Sequence, residues 1–217
     1  MEGLIYKQQP YLENSRLLFV YTKIGKVTLI ANGVQKQNSQ LRNLTQYLTY
    51  LSFEATENKA MYRLKQPKLL DDFSDLKTSY QGLKSAALIL ELIDKVIVAN
   101  EDHQLILAAA IEALKGSIVE ASLSFSIKLL AKLGYQPNLI PNGKPIIGFS
   151  ILTANLVYEG DLITPSIDTA TILIVLKLAN LSYDQLPKLT EEQIKIIKQF
   201  VYDYYELHLQ IQLKTLR

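Results

Sequence analysis

"SRLLFVYTKIGKVTLIANG", Ser15 to Gly33, is the stretch on which the fold turns. Two runs of branched and aromatic residues, "SRLLFVYT" and "KVTLIANG", are separated by "KIGK", a short polar break carrying a glycine. Runs of that length and composition, bounded by a tight turn, read as paired strands. Three more of the same kind lie within the first seventy residues, "GLIYKQ", "YLTYLSFEA" and "AMYRLKQP", with turn signals in "QQPYLEN", "NGVQKQNSQ" and "TENK". Five such strands predict a small antiparallel barrel of OB-fold size. Period alone does not separate it from an SH3-like barrel.

From about Leu69 the pattern becomes helical. "SYQGLKSAALILELIDKVIVAN" is apolar almost all round, which predicts a helix buried on most sides. "EDHQLILAAAIEALKG" opens with acids and closes on Gly116, as the helix dipole and a C-terminal cap favour. "SIVEASLSFSIKLLAKLG" ends on Gly134, with Pro137 beyond. "DTATILIVLKLAN" and "TEEQIKIIKQFVYDYYELHL" follow, and Thr190 with Gln193 predicts a capping box. The segment "YQPNLIPNGKPIIGFSILTANLVYEGD" interrupts the bundle with three prolines and an Asn-Gly turn, and predicts one or two hairpins. The expected class is therefore α+β: a barrel domain over residues 1–78 and an all-α domain over 79–217, with a hairpin insertion at 135–165.

Composition narrows the chemistry. The 217 residues include no cysteine, which removes disulfides, thiolate nucleophiles and thiolate zinc sites. "MEGLIYKQQP" lacks a signal-peptide layout, and the most apolar run, "TATILIVLKLANL", is broken by Lys177, so a cytoplasmic protein is expected. The two histidines, His103 and His208, stand far apart and read as structural. No HExxH, GxSxG or GxxxxGK[ST] occurs. The carboxylate pairs Asp71/Asp72, Glu101/Asp102 and Glu191/Glu192 fall where helices begin, and the dipole accounts for them. No enzyme, cofactor or metal is expected.

Charge gives the positive signal. The net charge is +2, but residues 1–70 carry +6 and residues 71–217 carry −4. Between Glu13 and Glu54 there is no Asp or Glu at all. A cation gains by releasing counterions from a phosphate only if no carboxylate competes for it. Thirteen tyrosines and no tryptophan add rings interleaved with these cations, and bases stack on such rings in barrels that hold single strands. The candidate DNA-binding residues are Lys7, Arg16, Lys23, Lys26, Lys36 and Arg42, with Tyr21 and Tyr50 as stacking rings. A protein-interaction module without direct DNA contact is the alternative.

Gly3, Leu4, Ile5, Tyr11, Glu13, Ser15, Leu17, Thr22, Gly25, Lys26, Ala31, Gly33, Val34, Ser39 and Leu41 stand in the order and spacing of a known N-terminal pattern. "LLDDFSDLKTSYQGLKSAALILELID", "FSIKLLAKLGYQPNL" and "FVYDYYELHLQIQLKT" continue it to the end of the chain. The whole resembles the bacterial RecO family of recombination and repair mediators. The resemblance implies an OB-fold, a helical domain and a zinc-ribbon-like insertion. It also implies binding of single- and double-stranded DNA, annealing of complementary strands, and a partnership with RecR that loads RecA on strands coated by single-strand-binding protein. Such a protein would be nucleoid-associated, and its helical domain would receive the acidic tail of single-strand-binding protein. This sequence departs from the family in three places. The insertion has no cysteine, so "PNGKPIIGFS" must be held by packing and turns. Asn32 and Gln35 replace two basic positions, leaving Lys36 and Arg42 as substitutes. Leu123 and Ser124 stand where basic residues are usual, leaving Lys128 and Lys132 for the acidic peptide.

Overall fold

In the computed structural model, residues 1–34, 39, 41–58, 61–99 and 101–217 are described, without the side chains of 56–58. Five strands close into a barrel: β1 (Glu2–Tyr11), β2 (Ser15–Thr22), β3 (Gly25–Ala31), β4 (Thr49–Asn58) and β5 (Met61–Asp71), in the order β1-β2-β3-β5-β4. Neighbours are antiparallel except β3 and β5, whose parallel pairing of Leu29 with Tyr62 and Ile30 with Arg63 completes the OB-fold. The two-residue period of a strand decides what fills it. Ile5, Leu18, Val20, Leu29, Leu51 and Phe53 point inward and form one cluster.

The turn at "KIGK" is built from its own residues. Thr22 Oγ1 donates to the Gly25 carbonyl at 2.8 Å and accepts from the Ile24 N–H at 3.3 Å. Gly25 has φ 108°, and a Cβ there would lie 3.1 Å from His103 Nε2. Both conditions select glycine.

The chain divides into two compact units, Met1–Ile111 and Glu112–Arg217. The first holds, besides the barrel, the single turns α1 (Leu41–Leu44) and α2 (Ser74–Lys77), then α3 (Tyr80–Lys95) and most of α4 (His103–Lys115). Asp71 and Asp72 accept from the N–H groups of Phe73 and Ser74 at 2.9 and 3.1 Å, so this pair does open a helix. Ser79 Oγ accepts from the Gly82 N–H at 3.0 Å and starts α3. Leu4, Tyr6 and Tyr21 lie outside the interior cluster yet are buried, Leu4 and Tyr21 completely.

The second unit is organised on α5 (Ile118–Lys132), buried along most of its length. Three serines sit in that buried stretch, and burying a hydroxyl is costly unless it is bonded. Ser122 and Ser126 donate to the carbonyls of Val119 and Ser122, and Ser124 donates to Leu178 at 2.6 Å. Tyr205 Oη donates to the Ser126 carbonyl at 2.7 Å, and complete burial pushes its phenol far above the usual range. The helix ends as expected at Gly134, φ 78°, with Tyr135 N–H bonded to the Leu130 carbonyl at 2.8 Å. One hairpin follows, β6 (Ile146–Ser150) and β7 (Asn155–Tyr158), then α6 (Thr169–Asn180) and α7 (Glu191–Leu209). The capping box predicted at Thr190 and Gln193 is present.

Turns and packing hold the hairpin. Asn138 bridges to it through its N–H to the Ala154 carbonyl at 3.0 Å and its amide to Asn155 Oδ1 at 2.8 Å. A Cβ on Gly148 would overlap Pro165 and the Ile167 carbonyl, so the closing segment packs directly on the strand backbone. Among the described residues, no three His, Cys, Asp or Glu side chains gather as metal ligands, and no helix is long and apolar enough to cross a membrane.

Candidate nucleic-acid interface

The expected cations do not form one surface. Lys7 on β1 and Lys26 on β3 both turn toward α3. Lys7 Nζ lies 3.6 Å from Asp94 Oδ2, and Lys26 Nζ donates to the Asp94 backbone carbonyl at 2.7 Å. Burial holds the Lys26 ammonium below its usual range, with the Asp94 carboxylate acting the other way. These two lysines link the barrel to a helix, so each already has a partner within the fold. Their partner comes from sixty-eight residues beyond Lys26 and so has no local signature.

Tyr21 is a correction. Its side chain is fully buried and offers no face to a base. The hydroxyl lies 3.1 Å from His103 Nδ1, while His103 Nε2 lies 3.2 Å from the Ala99 carbonyl. A carbonyl only accepts, so Nε2 carries the ring proton and Nδ1 accepts from the phenol. Burial, with the carboxylates of Glu101 and Asp102, raises the Tyr21 pKa. Tyr50 is half-buried on β4, donating to Glu2 Oε2 at 2.7 Å. Its phenol is pushed up to about 12 by burial first and the Glu2 contact second.

The remaining cations separate to the two ends of β2. Arg16 Nη1 donates to Gln8 Oε1 at 3.2 Å, Gln8 Nε2 to Gln46 Oε1 at 3.2 Å, and Gln46 Nε2 to the Arg42 carbonyl at 2.9 Å. This chain of neutral amides links the Arg16 side chain to the backbone of Arg42 at one rim of the barrel. Lys36 lies outside the described residues. Lys23 stands beyond the other end of β2, roughly 23 Å away at strand rise. There it lines an open cleft with Lys68, Ser52, Gln66, Glu2 and Glu54.

Two groups of cations escaped the sequence reading. Arg63 on β5 pairs with Ile30, next to Ala31, which pairs with Arg16; Arg63 and Arg16 therefore flank the end of β3. Lys65 and Lys68, opposite Glu54 and Ser52 across β4, continue along β5. The alternation in "YRLKQ" was the available signal, since it turns Arg63 and Lys65 to the same outer face. Arg42, Arg63, Lys23, Lys65 and Lys68 hold no side-chain ion pair or hydrogen bond among the described residues.

On the second unit, Lys128 is already engaged. Its ammonium donates to the Leu181 carbonyl at 2.5 Å and sits 4.1 Å from the Tyr183 ring centroid, and burial lowers its pKa. It thus caps the end of α6. Lys132 is exposed in the last turn of α5.

Comparison with known proteins accounts for both parts of the chain. Residues 1–73 match the family model described as recombination protein O N terminal, and residues 78–217 the one described as recombination protein O C terminal. The DNA repair protein RecO of Clostridium perfringens is 34% identical over 140 residues, 61% of this chain and 57% of that protein. The protein of the same name from Clostridium acetobutylicum is 26% identical over 144 residues, 63% of this chain and 58% of its own length. These two alignments thus span a little over half of each relative. A longer alignment links the DNA repair protein RecO of Oceanobacillus iheyensis, 21% identical over 95% of this chain and 86% of that protein. With an OB-fold barrel, a helical second part and both family models matched in order, the chain belongs to the recombination protein O family.

Proposed function

We propose that this chain is a non-catalytic DNA-repair mediator whose barrel holds single-stranded DNA at the rim bearing Arg16, Arg42 and Arg63. One observation carries the reading: among the described residues Arg42 and Arg63 have no side-chain partner, and Arg16 is held by a neutral amide alone. A guanidinium without a carboxylate partner gains fully from a phosphate. OB-folds bind oligonucleotides on the face of their second and third strands; Arg16 stands on β2, and Arg63 stands on β5 beside β3. The connection between β3 and β4 carries no Asp or Glu in the sequence. By family resemblance, the chain anneals complementary strands and, with RecR, promotes RecA loading on strands coated by single-strand-binding protein.

The engagement of Lys7, Lys26 and Lys128 within the fold favours a second reading, a protein-interaction module without direct DNA contact. Titration of a labelled single strand at several salt concentrations separates the two. Neutralising three to five phosphates gives a log–log slope of roughly −2 to −3.5. Replacing Arg16, Arg42 and Arg63 together by alanine should flatten that slope by about 2. Replacing Lys7 and Lys26 should leave the slope alone and lower stability instead. An unchanged slope in the triple arginine variant would discard the rim, and loss in Lys23→Ala/Lys68→Ala alone would move the interface to the opposite end.

A further inference from the structure

The turn between β6 and β7 and one face of α7 enclose an open cleft of about 830 Å³. Phe200 and Ile151 form its floor, 1% and 7% exposed. Its apolar walls are Leu152, Ile196 and Leu207, at 73%, 39% and 47% exposure. The walls are fixed in place. His208 Nε2 donates to the Ile151 carbonyl at 2.7 Å, the Ile151 N–H donates to Ser166 Oγ at 3.0 Å, and the Phe149 and Phe200 rings meet edge to face at 6.0 Å. Lining positions on α7 recur three and four residues apart from Glu192 to Leu207, so the cleft follows about four turns, roughly 22 Å.

The rim has a definite sign. Glu192, Asp203 and Glu206 line it against the single base Lys195. Asp203 accepts from Gln199 Nε2 and Glu206 from Gln212 Nε2, each at 2.7 Å. Neutral donors hold these carboxylates in place without cancelling their charge. Arg217, bonded to Tyr202 Oη at 2.8 Å, offsets part of the Glu206 charge. Glu206 also stands in the last turn of α7, where the negative end of the helix dipole opposes a carboxylate. The fold thus keeps an acid where its own helix disfavours one, beside exposed leucine and isoleucine.

We propose that this cleft docks an amphipathic helix from a partner protein, with Lys or Arg flanking its apolar face. A groove of this length accepts apolar anchors at i, i+3, i+4 and i+7, and the acids select the flanking sign. The same rim repels phosphate and acidic tails, so the site is separate from the barrel interface and does not rest on the DNA reading.

The test is fluorescence anisotropy of the full chain with a labelled Leu/Lys amphipathic helix of about 16 residues, long enough to span the cleft. A Leu/Glu counterpart with the same apolar stripe is the control. The Leu/Lys peptide should bind saturably and at least about tenfold more tightly than the Leu/Glu peptide. Ile196→Lys and Asp203→Asn/Glu206→Gln should each weaken it by about tenfold or more, with melting curves verifying that the variants fold. Absence of saturable binding, equal affinity for both peptides, or affinity indifferent to these substitutions would overturn the proposal. Self-association abolished by Ile196→Lys, without peptide binding, would overturn it too and give the cleft to a second copy of this chain.

Discussion

Tyr6 illustrates how a ring lying among the barrel's cations serves the packing of the fold. It is 9% exposed, faces Ala87 and Leu90 of α3 across a shallow cleft, and has the Lys26 ammonium 6.0 Å from its ring centre. Burial, then the Asp94 carboxylate, pushes its phenol up to about 12; burial alone does the same for Tyr204 in the second unit. The folded state therefore prefers the neutral phenol more than the unfolded chain does, where tyrosine titrates near ~10. The stability this represents is complete below pH ~10 and is lost as pH rises toward about 12. Lys26 and Lys128 are shifted the opposite way, and their stabilising rise with pH ends near the ordinary lysine pKa of ~10.4. The urea midpoint should fall steeply between pH 10 and 12, and Tyr6→Phe/Tyr204→Phe should make that fall shallower. Superimposable pH curves for the two proteins would remove the burial explanation.

Among the elements, legibility followed the distance between partners. The capping box of α7 joins Thr190 and Gln193, three residues apart, with the two bonds at 3.2 and 3.0 Å, and the sequence announces it. The five strands were legible for the same reason, since alternation is written within each run. The partner of Lys128 was not, because the carbonyl it caps lies fifty-three residues on, and nothing near Lys128 reports it. Likewise Arg63 and Arg16 reach neighbouring positions on β3 only through the pairings of that strand with β5 and β2, long-range contacts that no local pattern reports. Thr190→Ala tests the local part. It strands an N–H of the first turn and should cost about 1 kcal/mol by urea denaturation. Gln193→Ala should cost less, since the other half of the box survives. A Thr190→Ala variant as stable as wild type would mean that the first turn of α7 is held by its packing instead.

For the whole molecule, the decisive fact is where the first compact unit stops. A barrel ending near residue 78 satisfies its interior but leaves the outer side of β1 and β2 apolar. Leu4 and Tyr21 are 0% exposed and Tyr6 is 9%, although none belongs to the interior cluster. His103 of α4 satisfies the Tyr21 hydroxyl, and Asp94 of α3 takes Lys7 and Lys26. Uncovering three such side chains costs roughly 1.5–3 kcal/mol each, or about 5–9 kcal/mol together. That is comparable with the whole stability of a small domain, about 5–15 kcal/mol. Lys26, within the acid-free stretch, takes its partner from α3 and not from its own strands. A fragment of residues 1–111 should unfold cooperatively in urea with dispersed amide resonances. A fragment of residues 1–78 should lack a sharp transition and expose apolar surface to a hydrophobic dye. If the shorter fragment unfolds as sharply and at the same midpoint as the longer one, the helices do not complete the barrel.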